Sequence, residues 1–273
     1  MITTAAQLSQ PPAPGADSNA GSPWWPRVWP PVASLGVAVT LWWAATTLLC
    51  APQSLLRQTA PQHVVRALAD LVSRGVLATD TAVSLYRLLI GLLIAALIGI
   101  PTGLLIGLSR TAERAANPLV AFLRMISPLS WTPITVAVFG IGSQPVIFLI
   151  AVAAVWPVLL GTVAGVHAID PGYLHVAGSL HASRVEQLTA VVLPAVRAQV
   201  QNGLRLALGI AWVVLVPAEM LGVRSGLGYQ ILNARDQLDY ASVVAVIAVI
   251  GALGYLLDLT ARLLLAPRRS PQR

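Results

Sequence analysis

Lysine is absent from this sequence of 273 residues, and all 17 of its basic residues are arginine. A phosphate-binding loop of the form G-x-x-x-x-G-K-[S/T] requires a lysine that reaches the nucleotide phosphates. The chain therefore carries no P-loop ATPase of its own. Cysteine is almost absent as well, since Cys50 is the only one. A lone cysteine excludes an intramolecular disulfide and a cysteine metal cluster, and Cys50 is expected to be a packing residue.

Charge is also scarce. Only 10% of the residues are charged, 56% are hydrophobic and the mean hydropathy is +0.76. Soluble domains have about 25% charged residues, so this composition indicates an integral membrane protein. The net charge of +7 is compatible with binding nucleic acid. The arginines, however, lie at the ends of apolar segments and not along one helix face, which favours a role in membrane topology.

The first 31 residues are rich in Pro, Ala and Ser and contain no basic residue before Arg27. They lack the charged start of a secretory signal. We predict a disordered cytoplasmic tail over residues 1–31, a transmembrane domain over 32–266 and a second cytoplasmic tail over 267–273.

Long apolar segments predict an all-α protein with about six transmembrane helices, because a spanning helix needs roughly 20 apolar residues. The candidate spans are 33–51, 82–108, 119–139, 146–166, 203–222 and 241–265. In the second span, glycines recur at four-residue spacing or its multiple, which favours close packing against another helix. These glycines are Gly91, Gly99, Gly103 and Gly107.

The third candidate span contains Pro128 and Pro133 on either side of Trp131. Proline removes a backbone donor and kinks a helix, which a bilayer tolerates where neighbouring helices or a water-filled cavity satisfy the freed carbonyls. Two interpretations remain: a kink that serves packing, or a segment that lines a transport pathway.

Arginine in short loops sets the orientation, because cytoplasmic loops carry the excess of positive charge. A cytoplasmic N-terminus places the segment 170–194 in the cytoplasm. The arginines then on the cytoplasmic side are Arg27, Arg110, Arg114, Arg184, Arg197, Arg268, Arg269 and Arg273, against Arg57, Arg66, Arg74, Arg224 and Arg235 outside.

The segment 170–194 is polar between two apolar runs, and it has two helix starts. Asp170 before Pro171 suits an N-cap. Ser183 followed by Glu186 fits a capping box, with Pro194 expected just beyond that second short helix. The two helices meet near His181, at a joint expected to have left-handed geometry. The first helix is expected to present Leu174, Ala177 and Leu180.

These residues resemble the EAA loop of permease subunits in ATP-binding cassette importers. Its pattern, E-A-A-x-x-x-G, nine residues, then I-x-L-P, falls on His175, Val176, Ala177, His181, Val191, Leu193 and Pro194, with histidine in place of both the glutamate and the glycine. The resemblance covers about residues 35–265. It includes "SLYRLLIGLLIAALIGIPTGLLIGLSR", "ISPLSWTPITVAVFGIG", "GLRLALGIAWVVLVPAEMLGVRSGLGY" and "AVIAVIGALGYLLDL", which are similar to the alkanesulfonate, taurine and nitrate branch.

The resemblance implies the type I importer permease fold in a bacterial inner membrane, with both termini cytoplasmic. Within the loop 167–194, a coupling helix at roughly 171–181 would dock on a separate ATPase dimer. The implied partners also include a substrate-binding protein, a second copy of the chain and the lipid bilayer. No cofactor or metal is implied for this chain, because ATP and Mg would bind to the ATPase. The residues implied in coupling are Tyr173, Leu174, His175, Ala177, Gly178, Leu180, His181, Ala182, Ser183 and Arg184.

The resemblance also implies that specificity for the solute lies largely in the binding protein. Pyrimidine-precursor carriers share this scaffold with the sulfonate, taurine and nitrate carriers.

The expected translocation path or gate comprises Pro128, Trp131, Pro133, Trp156 and Glu219. An ionisable group within a span is a functional hypothesis by default. Glu219 is therefore a gate or scaffold residue, or a carboxylate bonded to backbone freed by Pro217. Arg87 and Arg124 either contact an anion or snorkel to the membrane surface. Gly226 and Gly228 form either a tight turn beside a docking partner or an ordinary loop.

Two other classes of protein compete with this interpretation. In a self-contained secondary transporter or channel, the segment 170–194 would be an ordinary loop. Such a protein would transport its solute without an ATPase. A membrane enzyme, including a hydrolase with a metal at His175 and His181, would need a further set of ligands, and the sequence contains no H-E-x-x-H motif. We therefore predict a transport subunit without enzymatic activity.

Overall fold

The computed structural model describes residues 25–48 and 55–264, and the regular structure in these ranges is helical throughout. The helices are α1 (Trp25–Leu48), α2 (Pro61–Ser73), α3 (Val76–Leu108), α4 (Arg110–Leu123), α5 (Thr132–Phe139), α6 (Ser143–His167), α7 (Pro171–Ser179), α8 (Arg184–Glu186), α9 (Leu193–Gly222), α10 (Leu227–Asp236) and α11 (Tyr240–Leu264). Short 3-10 turns occupy Leu55–Thr59 and Pro128–Trp131, and a π-helix occupies Gln187–Val192.

Helix α1 forms a unit separate from the rest of the chain. It begins at Trp25, so the assignment of 1–31 to a disordered tail is wrong for residues 25–31. Residues 1–24, Cys50 and the tail 267–273 lie outside the described residues. Within the helix, the hydroxyl of Thr40 donates to the carbonyl of Gly36 at 2.7 Å and that of Thr46 to the carbonyl of Trp42 at 2.9 Å. These bonds satisfy both hydroxyls without water.

Four unbroken helices in the described ranges are long and apolar enough to span a membrane: Val76–Leu108, Ser143–His167, Arg184–Gly222 and Tyr240–Leu264. A fifth span is the pair Arg110–Leu123 and Pro128–Phe139, bent by 81°. The remaining predicted span corresponds to α1, whose apolar part is Gly36–Leu48.

Helices α3 and α6 run in the same direction, side by side. A Cβ added at Gly91 would lie 2.5 Å from Ile150, one at Gly103 would lie 2.7 Å from Thr162, and one at Gly107 would lie 2.8 Å from Val166. The predicted role of the spaced glycines in close packing is confirmed. Side chains other than hydrogen would push the two backbones apart.

Because α3 and α6 are parallel, the chain must cross back between them. The end of α3 leads into α4, whereas Gly142, just after α5, donates a hydrogen bond to the carbonyl of Gly222 at 3.3 Å, at the far end of α9. The bent pair therefore begins and ends on opposite sides of the bundle, and it is a broken span and not a re-entrant loop.

The prediction of one kinked helix over 119–139 is wrong. The break lies at residues 124–127, where α4 has ended and the 3-10 turn has not begun. Pro128 and Pro133 occupy first-turn positions of the 3-10 turn and of α5, where a missing N–H costs nothing. Of the three prolines in the bent pair, Pro118 in α4 is the one that lies inside a helix.

The core lies between α3, α6 and α9, with α6 in the middle. Its buried side chains are Leu88, Ala95, Val146, Leu149, Ile150, Ala154, Val158, Ala207, Ala211, Leu215, Ala218 and Val223. Helix α9 runs antiparallel to α6, since Gly161 and Gly165 both lie against Gln199, and Gly203 lies against Pro157. Helix α11 packs on α9, α10 and α2.

These directions define two sides of the bundle. The loop side holds α7, the ends of α3, α6 and α11, and the start of α9. The α10 side holds α2, α10 and the ends of α5 and α9.

Candidate functional site

The polar segment 170–194 folds onto the loop side as α7, a sharp joint and α8. Asp170 caps α7, accepting the N–H of Gly172 at 2.8 Å, and Pro171 occupies the first turn. Ser183 and Glu186 form the predicted capping box: the Ser183 N–H donates to Glu186 Oε2 at 2.7 Å and the Glu186 N–H to Ser183 Oγ at 3.3 Å. Both predicted helix starts are confirmed.

The joint between the two helices is at His181, whose φ is +57°. The N–H of Ala182 donates to the Ala177 carbonyl and that of His181 to the Gly178 carbonyl, each at 3.0 Å. This pair of bonds is a Schellman motif, which usually has glycine at the left-handed position. The predicted left-handed joint is confirmed, and histidine occupies it.

The prediction that the second short helix ends before Pro194 is wrong. Helix α8 continues through the π-helix Gln187–Val192 into α9, so that residues 184–222 form one continuous rod. In the π segment the Leu193 N–H bonds the Leu188 carbonyl, five residues earlier. The extra residue in that turn accommodates the missing N–H of Pro194 without breaking the helix.

Helix α7 divides into a buried face and an exposed face. Ala177 is buried, and Leu174 packs against the cluster of Val166 at the end of α6, Val192 in the π-helix and Val196 at the start of α9. The expectation that Leu174 and Ala177 are presented outward is therefore wrong, because they attach the loop to the bundle.

The exposed face of this loop is apolar. Tyr173 is 67% exposed, Val176 60% and Leu180 76%. They lie at i, i+3 and i+7, on one side of the helix. We call them the exposed stripe. The other predicted coupling residues lie around it: His175, Gly178, His181, Ser183 and Arg184 are exposed and Ala182 is partly buried.

The predicted path residues do not form one constellation. Pro128, Trp131 and Pro133 belong to the bent pair, which packs on α6 and α9, with Trp131 against the core. Trp156 is a partly buried residue of α6. Glu219 is fully buried elsewhere, near the α10 side.

Glu219 forms an ion pair with Arg87, at 2.7 Å between Oε1 and Nη1. The Arg87 side chain is only 2% exposed, so the snorkelling alternative is wrong for this residue. Each nitrogen of the guanidinium group donates at least one further hydrogen bond: Nη1 to the Ser225 carbonyl at 2.8 Å, Nη2 to Ser225 Oγ at 2.7 Å and Nε to Ser143 Oγ at 3.1 Å. This arginine joins three helices and the loop before α10.

The Glu219 carboxylate is fully engaged. Ser84 Oγ lies 2.9 Å from both of its oxygens, and the Gly228 N–H donates to Oε2 at 2.9 Å. None of these partners is the backbone freed by Pro217, so that explanation of Glu219 is wrong. A buried ion pair is tolerated at this depth when its remaining donors and acceptors are satisfied.

Asp80 extends the same network, accepting the Gly226 N–H at 2.7 Å and Gln230 Nε2 at 2.6 Å. We call Asp80, Ser84, Arg87, Glu219 and the loop 225–228 the Arg87–Glu219 cluster. Asp80 and Ser84 were not among the residues predicted from the sequence. Their signal is the polar stripe at i, i+4 and i+7 that they form with Arg87 on an otherwise apolar helix.

The glycines of the loop have a definite role. Gly226 has φ +102°, and a Cβ there would collide with the Glu219 carboxylate. A Cβ at Gly228 would collide with the Val216 carbonyl oxygen. Both glycines thus let the loop reach the buried carboxylate, a role that neither interpretation from the sequence included.

Arg205 and Asp258 were also missed. Their side chains form an ion pair between α9 and α11, with 3.3 Å between Arg205 Nε and Asp258 Oδ1. In the described ranges no group of three or more His, Cys, Asp or Glu side chains is arranged to hold a metal ion.

Comparison with known proteins identifies relatives along most of the chain. The family model for binding-protein-dependent transport system inner membrane components matches residues 95–270. The taurine transport system permease protein TauC of Escherichia coli (strain K12) is 36% identical over 239 residues, covering 85% of this chain and 86% of that protein. The nitrate import permease protein NrtB of Synechococcus elongatus is 31% identical over 239 residues, covering 84% of this chain and 85% of that protein.

The fold has a counterpart among solved structures. A chain of the MetNI methionine ABC transporter in an inward-facing conformation superposes with a TM-score of 0.59 and 19% identity, covering 67% of this chain and 91% of that chain. At this identity the likeness concerns the fold alone, and it agrees with the predicted helical permease fold.

Proposed function

The chain belongs to the family of binding-protein-dependent transport system inner membrane components and is a permease subunit of an ABC importer, and from this premise we propose that it forms half of a translocation path for a small anion. The path moves between inward- and outward-open states when a separate ATPase dimer closes on the loop side. A self-contained secondary transporter or channel, the rival class, is not favoured by this membership.

The exposed stripe is the observation that carries this proposal. Tyr173, Val176 and Leu180 lie on a polar loop beyond the ends of the spans, where lipid does not cover apolar side chains. An exposed apolar surface on such a loop marks a protein contact. A short helix seated in the groove of a partner is a common recognition mode. We assign the stripe to the ATPase.

The other residues predicted for coupling support this contact indirectly. Leu174 and Ala177 fix α7 to the end of α6 and the start of α9, so that force applied to the stripe reaches two spans. ATP and Mg would bind to the ATPase, and this chain contributes no bond chemistry.

Two further partners complete the importer. A second copy of the chain supplies the other half of the path, and a substrate-binding protein docks on the α10 side. The loop side then faces the cytoplasm together with both termini, in a bacterial inner membrane. This orientation agrees with the arginines at the loop-side starts of α4 and α8, Arg110 and Arg184.

The solute class follows from the relatives, whose names specify taurine and nitrate. Both are small solutes with a singly charged oxyanion group. We propose a solute of this class: an alkanesulfonate such as taurine, or nitrate.

Replacing Val176 and Leu180 together with arginine tests the assignment of the stripe. We expect the ATPase subunit to stop co-purifying with the permease, while the variant stays folded in detergent. The matched control is Val65→Arg, a 65% exposed valine on α2 of the α10 side, which should retain the ATPase. Full retention of the ATPase by the double variant would refute the assignment.

A further inference from the structure

A groove that contains three polar side chains opens on the surface between α9 and α11. It has a volume of about 630 Å³ and is lined by Asn202, Arg205, Leu206, Gly209, Ile210 and Asp258. The helix faces that line the core lie elsewhere, since Leu204, Ala207, Leu208 and Ala211 of α9 pack inward. The groove is therefore a feature of the outer surface of the single chain.

The groove lies near the middle of the membrane-spanning region. Gly203, two residues before Arg205, packs against Pro157 and Gly161 of α6, a helix that runs over Ser143–His167. On α11, Gly254 lies against Trp212 of α9, and Asp258 follows one turn closer to the loop side. Arg205 therefore lies near the middle of the bundle, and Asp258, six residues before the end of α11, lies somewhat closer to the loop side.

Asp258 is shared unequally between two arginines. Arg262 bonds its Oδ2 from Nε and from Nη2, each at 2.7 Å, whereas Arg205 reaches Oδ1 only through Nε, at 3.3 Å. The three side chains together carry one net positive charge. Arg205 is 40% exposed, and within the described part of the chain its two Nη groups have no hydrogen-bond partner.

Arg87 provides the contrast. Every nitrogen of its guanidinium group is bonded, and its side chain is only 2% exposed, so a solute has no access to it. Arg205, by contrast, has free N–H donors on its Nη groups. It belongs to a group of three side chains with one net positive charge, and it faces the open groove. Charged side chains at membrane depth face a protein interior or a water-filled cavity and not lipid.

We propose that this groove is one wall of the translocation path, and that Arg205 binds the oxyanion group of the solute through its Nη groups. The planar guanidinium group presents paired donors that match two oxygens of a sulfonate or a nitrate. Asp258 holds Arg205 against the wall through Nε, and Asn202, one turn away, supplies an amide donor beside it. This inference rests on the proposed function and adds the residues that recognise the solute.

Transport by the reconstituted complex tests the role of Arg205. The permease, its ATPase and its binding protein are placed in proteoliposomes, and ATP-dependent uptake of radiolabelled taurine and nitrate is measured. Arg205→Gln should lower uptake at least tenfold, with ATP hydrolysis stimulated by the loaded binding protein retained within about twofold. Arg197→Gln, which removes an exposed arginine of the same helix outside the groove, should transport normally.

The possible results distinguish the role of Arg205 from the proposed class of solute. Normal uptake by Arg205→Gln overturns the inference, and so does an equal loss of uptake and ATP hydrolysis, which would indicate a structural role. A wild-type complex that takes up neither taurine nor nitrate would contradict the proposed solute class and not the location of the path.

Labelling of a single cysteine tests the groove without transport. In a Cys50→Ser background, Asn202→Cys should react with a water-soluble methanethiosulfonate that carries a sulfonate group, and Arg205→Gln should slow the reaction. The control is Leu97→Cys, at a similar depth on α3 and 65% exposed on its apolar surface, which should not react. An unreactive Asn202→Cys, in both the nucleotide-free and the ATP-bound complex, would show that no water reaches the groove and would overturn the inference.

Discussion

At the residue scale, the Arg87–Glu219 cluster shows what allows charge inside an apolar bundle. The two ions are paired at 2.7 Å, and hydroxyl and backbone groups complete their hydrogen bonding. Removing one ion from such a pair leaves the other buried without compensation, which costs about 3–5 kcal/mol. Removing both leaves no orphaned charge.

Arg87→Leu is therefore expected to lower the free energy of unfolding of the permease by about 3–5 kcal/mol. The double variant Arg87→Leu, Glu219→Leu should recover a large part of this loss. Thermal unfolding of the purified protein in detergent measures both, with Arg224→Gln, an exposed arginine close by in sequence, as control. A double variant no more stable than Arg87→Leu would contradict this explanation.

His181 provides a second prediction at this scale. Its φ of +57° is easy for glycine and costs other residues about 1–2 kcal/mol. His181→Gly should therefore stabilise the loop joint by up to about 1 kcal/mol. His175→Gly, the same change inside α7, should instead destabilise by about 0.5–1 kcal/mol. Hydrogen exchange of residues 171–190 compares them, and a shift of the same sign in both would refute the prediction.

At the scale of elements, the contact of α3 with α6 depends on the absence of side chains. A methyl group at Gly103 would meet the Leu159 carbonyl at 2.8 Å, and a backbone oxygen cannot move aside. Gly251 in α11 has open space around it. The two glycines are chemically identical and differ only in what faces them.

Gly103→Ala should consequently lower the free energy of unfolding by about 1–3 kcal/mol, the usual cost of overpacking. Gly251→Ala should leave it unchanged or raise it by up to about 1 kcal/mol, because alanine is the better helix former. Thermal unfolding in detergent measures both changes. Equal shifts for the two variants would show that helix propensity, and not the contact with α6, decides the outcome.

Elements that depend on local chemistry could be predicted from the sequence. The caps at Asp170 and Ser183, the left-handed joint at His181 and the glycine spacing of α3 all follow from neighbouring residues. Features that depend on partners far away in the sequence could not be predicted from it. Nothing in the sequence near Arg87 indicates that Glu219, 132 residues later, is its partner.

The same limit explains the errors. Pro194 was expected to end a helix, and a π turn absorbs it instead. Pro128 and Pro133 were expected to kink one helix, and they begin two elements. A proline in the sequence shows which backbone hydrogen bond is missing, but it does not show how the neighbouring backbone compensates for the loss.

At the scale of the whole molecule, the directions of the spans place α7 and α10 on opposite sides of the membrane. In a Cys50→Ser background, Gln237→Cys at the end of α10 should react in intact cells with a reagent that does not cross membranes. Ser179→Cys at the end of α7 should react only after permeabilisation. Labelling of Ser179→Cys in intact cells would contradict the proposed orientation, and labelling of both would contradict the fold.

The continuous helix of residues 184–222 connects the two sides mechanically. Its 39 residues make a rod about 58 Å long at 1.5 Å per residue. A tilt of about 5° around its midpoint would move each end by about 2.5 Å, roughly the separation of two hydrogen-bonded atoms. Glu219 lies close to one end of this rod, and α7 packs against the other end. A displacement of α7 by less than one helical turn is therefore enough to strain or release the Arg87–Glu219 ion pair on the opposite side of the membrane.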